Sequence, residues 1–274
     1  MTSESTYIHG TSPEEQRRLG VMNRILNDAS RVRLHLQPGE SVIDFGCGLG
    51  QFTREMARQA APGTVVGIER SEAQLARAIE LARADNEESL VDFRRGDAAA
   101  PPLSDPERAW FDVAHARFLL EHLVDPLSAV RAMVEAVRPG GRIVLADDDH
   151  DVLRLWPEPP GVAELWKAYI RSYDRVGNDP FIGRRLTSLL VEAGARPRRN
   201  DWIFFGGCAG SDNFADLVDN LHGILAGARQ TVVSHNLFEA GYYDVVLRNL
   251  LAWAGRDDAS LWFAMSWAEG IKPD

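Results

Sequence analysis

The chain has 274 residues, 45% hydrophobic and 26% charged, with a formal net charge of -10 from 40 acids against 30 bases. That length can bury a large core and is long for one doubly wound domain yet short for two independent ones, so one domain with additions is expected. No apolar run approaches the roughly 20 residues of a spanning helix, and the acidic balance disfavours a polyanion, so neither a membrane nor a nucleic acid is expected as partner.

The first ten residues, MTSESTYIHG, have no basic region and no apolar core, so no secretory signal is read there. Cys47 and Cys208 lie far apart, fit reduced thiols in a cytoplasm, and form no metal pattern. Residues 13–36 carry helical spacing at Leu19, Met22, Ile25, Leu26 and Ala29, behind Ser12 as N-cap, Pro13 in the first turn and Glu15 three after the cap. Gln37-Pro38-Gly39 is a turn, and residues 41–45 are a buried strand. Gly46, Gly48 and Gly50 follow at alternate positions before an amphipathic helix over residues 52–61. Such a turn lets a ligand approach main-chain N–H groups, and the helix N-terminus behind it favours an anionic group. A dinucleotide fingerprint would need a third glycine where Gln51 stands, so the spacing is acidic-x-G-x-G-x-G, led by Asp44.

Residues 64–68 form a second apolar strand that ends at Glu69, with Arg70 beside it. An acid there, about 20 residues beyond the glycine loop, is placed where a nucleotide ribose presents its two hydroxyls. Ser71 caps a helix to about residue 86, residues 90–94 are strand three, and Gly96-Asp97-Ala98 follows. Strand four, residues 110–114, opens into His115-Ala116-Arg117-Phe118 and an EHL helix, in which His122 is read as a core or capping residue. Asp125-Pro126 starts a helix over residues 127–137, and strand five covers residues 142–146.

Strand five empties into Asp147-Asp148-Asp149-His150-Asp151, at the carboxyl edge where open α/β sheets place ligands. His150 is the candidate general base, with Asp149 beside it. No metal is expected, because consecutive residues cannot all point at one ion. Residues 156–160 read as a rigid connector, residues 162–176 as a helix with Trp166, Tyr169 and Tyr173 along one side, and residues 180–193 as another helix. Residues 198–205 are strand six and residues 260–267 strand seven. Between them residues 211–256 hold two helices, the second bearing Phe238, Tyr242 and Tyr243 at its start.

Over residues 7–147 the glycine loop behind Asp44, Glu69 after strand two, Asp97 after strand three and the Phe-Asp-Val strand with its EHL helix together resemble the class I S-adenosylmethionine-dependent methyltransferases. The resemblance implies an α/β fold, a doubly wound seven-stranded mixed sheet parallel except for its last strand, with an N-terminal helix and helical cap insertions. It implies S-adenosyl-L-methionine as cofactor. Gly46, Cys47 and Gly48 would pack against its methionine part, Asp44 would help hold its amino group, and Glu69 with Arg70 would meet the ribose. Asp97 would accept from the adenine amino group beside the Ala98 N–H, and the backbone at Ala116 and Arg117 would lie next to the sulfonium. A Tyr-x-x-Gly stretch leading into Glu-x-x-Arg-Leu lies over the cofactor in similar proteins, and Tyr7, Gly10, Glu15, Arg18 and Leu19 match it.

The expected organisation is a single domain over residues 1–274, with a lid helix region at 1–36, a cofactor core at 37–147 and cap insertions at 148–178 and 207–258. The expected reaction is methyl transfer to a small, planar or aromatic acceptor enclosed by the six aromatic rings of the two insertions. A homodimer is compatible with the sequence. Two alternatives stay open. An amino-methylating nucleic-acid enzyme would be expected to carry (Asn/Asp)-Pro-Pro-aromatic where His115-Ala116-Arg117-Phe118 stands, and a non-methylating member would use the cofactor only to shape a pocket for a rearrangement or cyclisation.

Overall fold

A computed structural model describes residues 25–175 and 177–274. Tyr7, Gly10, Glu15, Arg18 and Leu19, the positions expected over the cofactor, lie outside the described residues. In chain order the elements are α1 (residues 25–34), β1 (Val42–Phe45), α2 (Gln51–Ala60), β2 (Val65–Glu69), α3 (Glu72–Ala84), β3 (Asp92–Arg95), β4 (Phe111–Arg117), α4 (Pro126–Ala136), β5 (Val137–Asp148), β6 (Arg154–Trp156), α5 (Val162–Ser172), α6 (Leu186–Glu192), β7 (Arg196–Cys208), α7 (Phe214–Ser234), α8 (Ala240–Ala254) and β8 (Ser260–Ile271).

One sheet runs β3-β2-β1-β4-β5-β8-β6, with β7 on the other side of β8. Strands β1 to β5 pair in parallel, and β8 runs antiparallel to β5, β6 and β7, so the final strand is the reversed one, as the resemblance implied. The sheet has eight strands where seven were expected. The extra one is β6, which no expected element covered and which meets the stretch read as a connector only at Trp156. β8 is 12 residues long, and β5 pairs only with its Met265–Ile271 part, so Ser260–Trp262 would keep unpaired backbone groups if Arg154–Trp156 did not pair with them. The helix expected over residues 180–193 is a 3-10 turn (Ile182–Arg185) followed by α6. A Cβ at Gly183 would sit 2.8 Å from the Asp148 backbone, so this turn lies hard against β5.

Side-chain alternation along the strands builds two cores. Val42, Val113, Val144 and Ala146 face α1, α2, α5, α7 and α8, whereas Ile43, Phe45, Ala114, Ile143 and Leu145 face α4 and α6. The helical additions join the first core as continuous packing. Trp166, Tyr169, Tyr173 and Tyr243 are buried in it, Phe238 packs against it, and Tyr242 is 45% exposed with its ring stacked 5.5 Å from that of Phe238. The expectation that all six rings enclose an acceptor is therefore corrected: four are core residues, because an amphipathic helix turns its apolar stripe toward the sheet it covers.

Candidate functional site

At the carboxyl ends of β1 and β2 the chain makes a tight cradle. Gly46, Gly48 and Gly50 all have positive φ, 70°, 55° and 67°. A Cβ at Gly50 would fall 2.5 Å from the Phe93 ring and one at Gly46 would fall 2.9 Å from Leu119, whereas at Gly48 it would meet only the Gln74 side chain at 3.5 Å. The loop is thus packed from behind at Gly46 and Gly50 and open at Gly48.

Glu69 closes one side of it. Its Oε2 accepts the Gly48 N–H at 3.0 Å and its Oε1 the Ser71 N–H at 2.7 Å. The Arg70 backbone N–H also bears on this carboxylate, so of its about four lone-pair sites not all are taken and some acceptor capacity stays open to a further donor. Open acceptor capacity at the end of β2 fits a hydroxyl-bearing group such as a ribose. Burial pushes the Glu69 carboxyl up from its ordinary value, against the pull of the Ser71 and Gly48 N–H groups.

Asp44 lies deeper. It is 4% exposed, accepts the Thr53 hydroxyl on Oδ2 at 2.5 Å, and pairs through Oδ1 with His115 Nδ1 at 2.8 Å. Burial, reinforced by the charges of Asp44 and Glu69, holds the Cys47 thiol well above its usual range, which disfavours the thiolate. Asp97 is exposed and accepts the Ala99 N–H at 2.8 Å, while Ala98 is buried and Arg70 exposed. Ala116 is buried in β4. The Arg117 guanidinium lies 4.4 Å from the Phe52 ring centroid and donates to Asn27 Oδ1 at 2.9 Å and Ser30 Oγ at 3.2 Å, tying α1 to the sheet edge. Burial lowers its pKa to about 10.

A second polar cluster sits at the same edge, after β4 and β5. His150 is 3% exposed, with Nε2 3.1 Å from Glu121 Oε2 and 3.0 Å from the Tyr173 hydroxyl. Tyr173 donates to Glu121 Oε2 at 3.0 Å and meets the Tyr169 hydroxyl at 2.8 Å, while Trp166 Nε1–H donates to the His150 carbonyl at 2.7 Å. Burial and the Glu121 charge push the Tyr173 phenol well up, so it stays a donor. His150 Nδ1 is buried without a hydrogen-bond partner.

The carboxylate against His150 is therefore that of Glu121, which the sequence reading passed over in favour of Asp149. Asp149 accepts two bonds from Arg184, at 2.6 and 2.7 Å, and caps the following turn through the Asp151 N–H. Asp147 accepts the Leu119 and Leu120 N–H groups at 3.2 and 2.7 Å, which binds the turn carrying Glu121 to the end of β5. Burial and the nearby Glu121 charge push its carboxyl well up. Leu119 also backs Gly46, so the cradle and the His150 cluster share one wall. One ligand-type atom each from Glu121, Asp148 and His150 lies within 4.8 Å of the others, a grouping that neighbours in the acidic run could not make alone. No helix among the described residues is long and apolar enough to cross a membrane.

The family model described as "Methyltransferase domain" matches residues 14–199. The chain is 38% identical over 105 residues to a ubiquinone biosynthesis O-methyltransferase of Pseudomonas entomophila, covering 38% of this chain and 43% of that one. It is 34% identical over 154 residues to the 27-O-demethylrifamycin SV methyltransferase of Amycolatopsis mediterranei, covering 56% of this chain and 53% of that one. The chain spans about half the length of the curated relatives it matches. Among solved structures the [4+2]-cyclase SpnF superposes with a TM-score of 0.56 at 22% identity, over 90% of this chain and 80% of that chain, which is a likeness of fold.

Proposed function

The chain belongs to the class I S-adenosylmethionine-dependent methyltransferases, and from that membership we propose that it transfers a methyl group from S-adenosylmethionine to a hydroxyl of a small molecule. When bound, the cofactor supplies a methyl carbon already activated by its sulfonium. The protein's part is to hold both reactants in line, exclude water and take a proton where the acceptor carries one.

Gly48 gives the cofactor its backbone approach, the Glu69 carboxylate accepts from the ribose hydroxyls, and Asp44 accepts from the amino group. Asp97 and the Ala98 N–H serve the adenine, with Gly46, Cys47, Arg70, Ala116 and Arg117 as neighbours. The observation that carries an acceptor bearing a proton is the His150 cluster. A carboxylate only accepts, so Glu121 draws the imidazole proton to Nε2 and leaves the lone pair on Nδ1, the one ring nitrogen with no partner. Nδ1 is the atom to receive the acceptor's proton, with Glu121 and the Tyr173 hydroxyl stabilising the imidazolium that results. The names of the two O-methyltransferase relatives support the same class of acceptor. Its planar character rested on the six rings and is not carried further. Residues 37–147 act as the cofactor core in this reading, and the additions at 148–178 and 207–258 cover the catalytic edge.

Incubation with methyl-labelled S-adenosylmethionine and a panel of hydroxylated metabolites tests the reading. The expected result is a labelled methyl ether with one S-adenosylhomocysteine per turnover. Product formed with no cofactor consumed would overturn it in favour of a rearrangement or cyclisation.

A further inference from the structure

His115 lies in the middle of β4, in the run FDVAHAR, where a central strand buried on both faces ordinarily takes apolar residues. Its neighbour across the ladder is Asp44, and the two side chains stand on the face covered by α2. His115 is 1% exposed, Asp44 4% and Thr53 0%. Because a carboxylate only accepts, the bond between Nδ1 and Oδ1 places the ring proton on Nδ1. Nε2 is then a buried lone pair with no hydrogen-bond partner, beside the rings of Phe52 and Trp267, whose centroids lie 5.3 and 6.4 Å away. A buried polar atom without a partner costs stability, and valine or isoleucine here would avoid that cost. What His115 gives in return is one fixed donor on Asp44 Oδ1, opposite the Thr53 hydroxyl on Oδ2. With both oxygens pinned from the core side, the carboxylate is held in one rotamer and its remaining lone pairs are aligned before any ligand arrives.

We propose that His115 is a positioning residue for cofactor recognition: its Nδ1–H orients the Asp44 carboxylate toward the amino group of the methionine moiety, and it takes no part in proton transfer to the acceptor. The inference rests on the assignment of Asp44 to that amino group. It predicts that the donor position matters, and not the ring. Asparagine places its side-chain N–H₂ where Nδ1 lies, glutamine places its own near Nε2, and leucine supplies no donor.

Calorimetric titration of the full chain with S-adenosylhomocysteine and with 5′-methylthioadenosine, which lacks the amino and carboxyl groups, reads this directly. His115→Leu and His115→Gln should weaken S-adenosylhomocysteine by about tenfold or more, and His115→Asn by less than about threefold, as expected for one bond to a charged group. Binding of 5′-methylthioadenosine should be the same in all of them. Should His115→Leu fail to fold, Thr53→Val removes the donor from the other oxygen and should show the same selective loss. Equal loss of both ligands, or no rescue by asparagine, would overturn the proposal and leave His115 a packing residue. A parent protein that binds neither ligand would instead refute the cofactor assignment itself.

Discussion

Glu69→Gln removes acceptor capacity from a carboxylate that already serves the loop. The Gly48 and Ser71 N–H groups take one site on each oxygen, the Arg70 N–H also bears on it, and what remains is open to a diol. The amide that replaces one oxygen is a donor, so it must face either a backbone N–H or a ribose hydroxyl with the wrong polarity. A hydrogen bond to a charged group contributes about 1.5 to 3 kcal/mol, so the variant should bind S-adenosylhomocysteine about ten- to a hundredfold more weakly. One misplaced backbone bond of about 1 kcal/mol should lower Tm by only about 2 to 4 °C in a protein of this size. Isothermal titration and calorimetric melting give the two numbers on one sample. Acidity supplies a second arm. Burial raises this carboxyl in the folded protein above its ordinary value of 4.5, so as pH falls the free enzyme takes up a proton that the diol must displace, and affinity should begin to drop above that value. By the same sign, an acid whose folded pKa is raised contributes stability at low pH that is lost as pH rises through the folded value. Affinity within twofold of the parent, or a melting collapse at unchanged affinity, would show that Glu69 serves the loop and not a ligand.

The remaining expectations concern catalysis, the loop and the surface. His150→Ala should lower turnover by about 10²-fold with cofactor affinity unchanged, and Glu121→Gln should lower it in the same direction through the ring it holds; an unaltered rate in both would move the base elsewhere. EDTA should leave the parent's rate unchanged, whereas a rate lost to EDTA and restored by Mn²⁺ would make Glu121, Asp148 and His150 metal ligands. Gly50→Ala combines a left-handed backbone with a Cβ 2.5 Å from Phe93, and should cost about 2 to 5 kcal/mol in urea unfolding. Glu107, held down to about 2 by Arg94 and capped by Ser104, contributes stability that is full above its ordinary value of 4.5 and lost as pH falls toward 2. Glu107→Gln should therefore lower the urea midpoint at pH 7 and leave it near the parent's at pH 2.

The parts of this protein that could be read from residues in order are those whose physics is local. A left-handed turn needs glycine at Gly46, Gly48 and Gly50, period-two apolar strands and period-3.6 helices announce themselves within a few residues, and the distance from that turn to Glu69 follows from one strand-helix-strand unit. Those signals carried the parallel strands and the cradle, and the resemblance to the family supplied the reversed last strand. The partners of the buried charges were decided by tertiary structure. Asp44 meets His115 at a separation of 71 residues only because β1 and β4 pair in one register, and a slip of one residue would turn His115 to the opposite face. His150 takes Glu121 and not the adjacent Asp149, because Arg184 draws Asp149 away and Asp147 pins the turn that carries Glu121. The aromatic stripes became core and not pocket wall because α5, α7 and α8 cover one face of the sheet together, and β6 exists because β8 outruns β5. Sequence spacing reports which way a side chain points along its own element; which group it finds there depends on chain segments brought together by burial, and that information is spread over the whole fold.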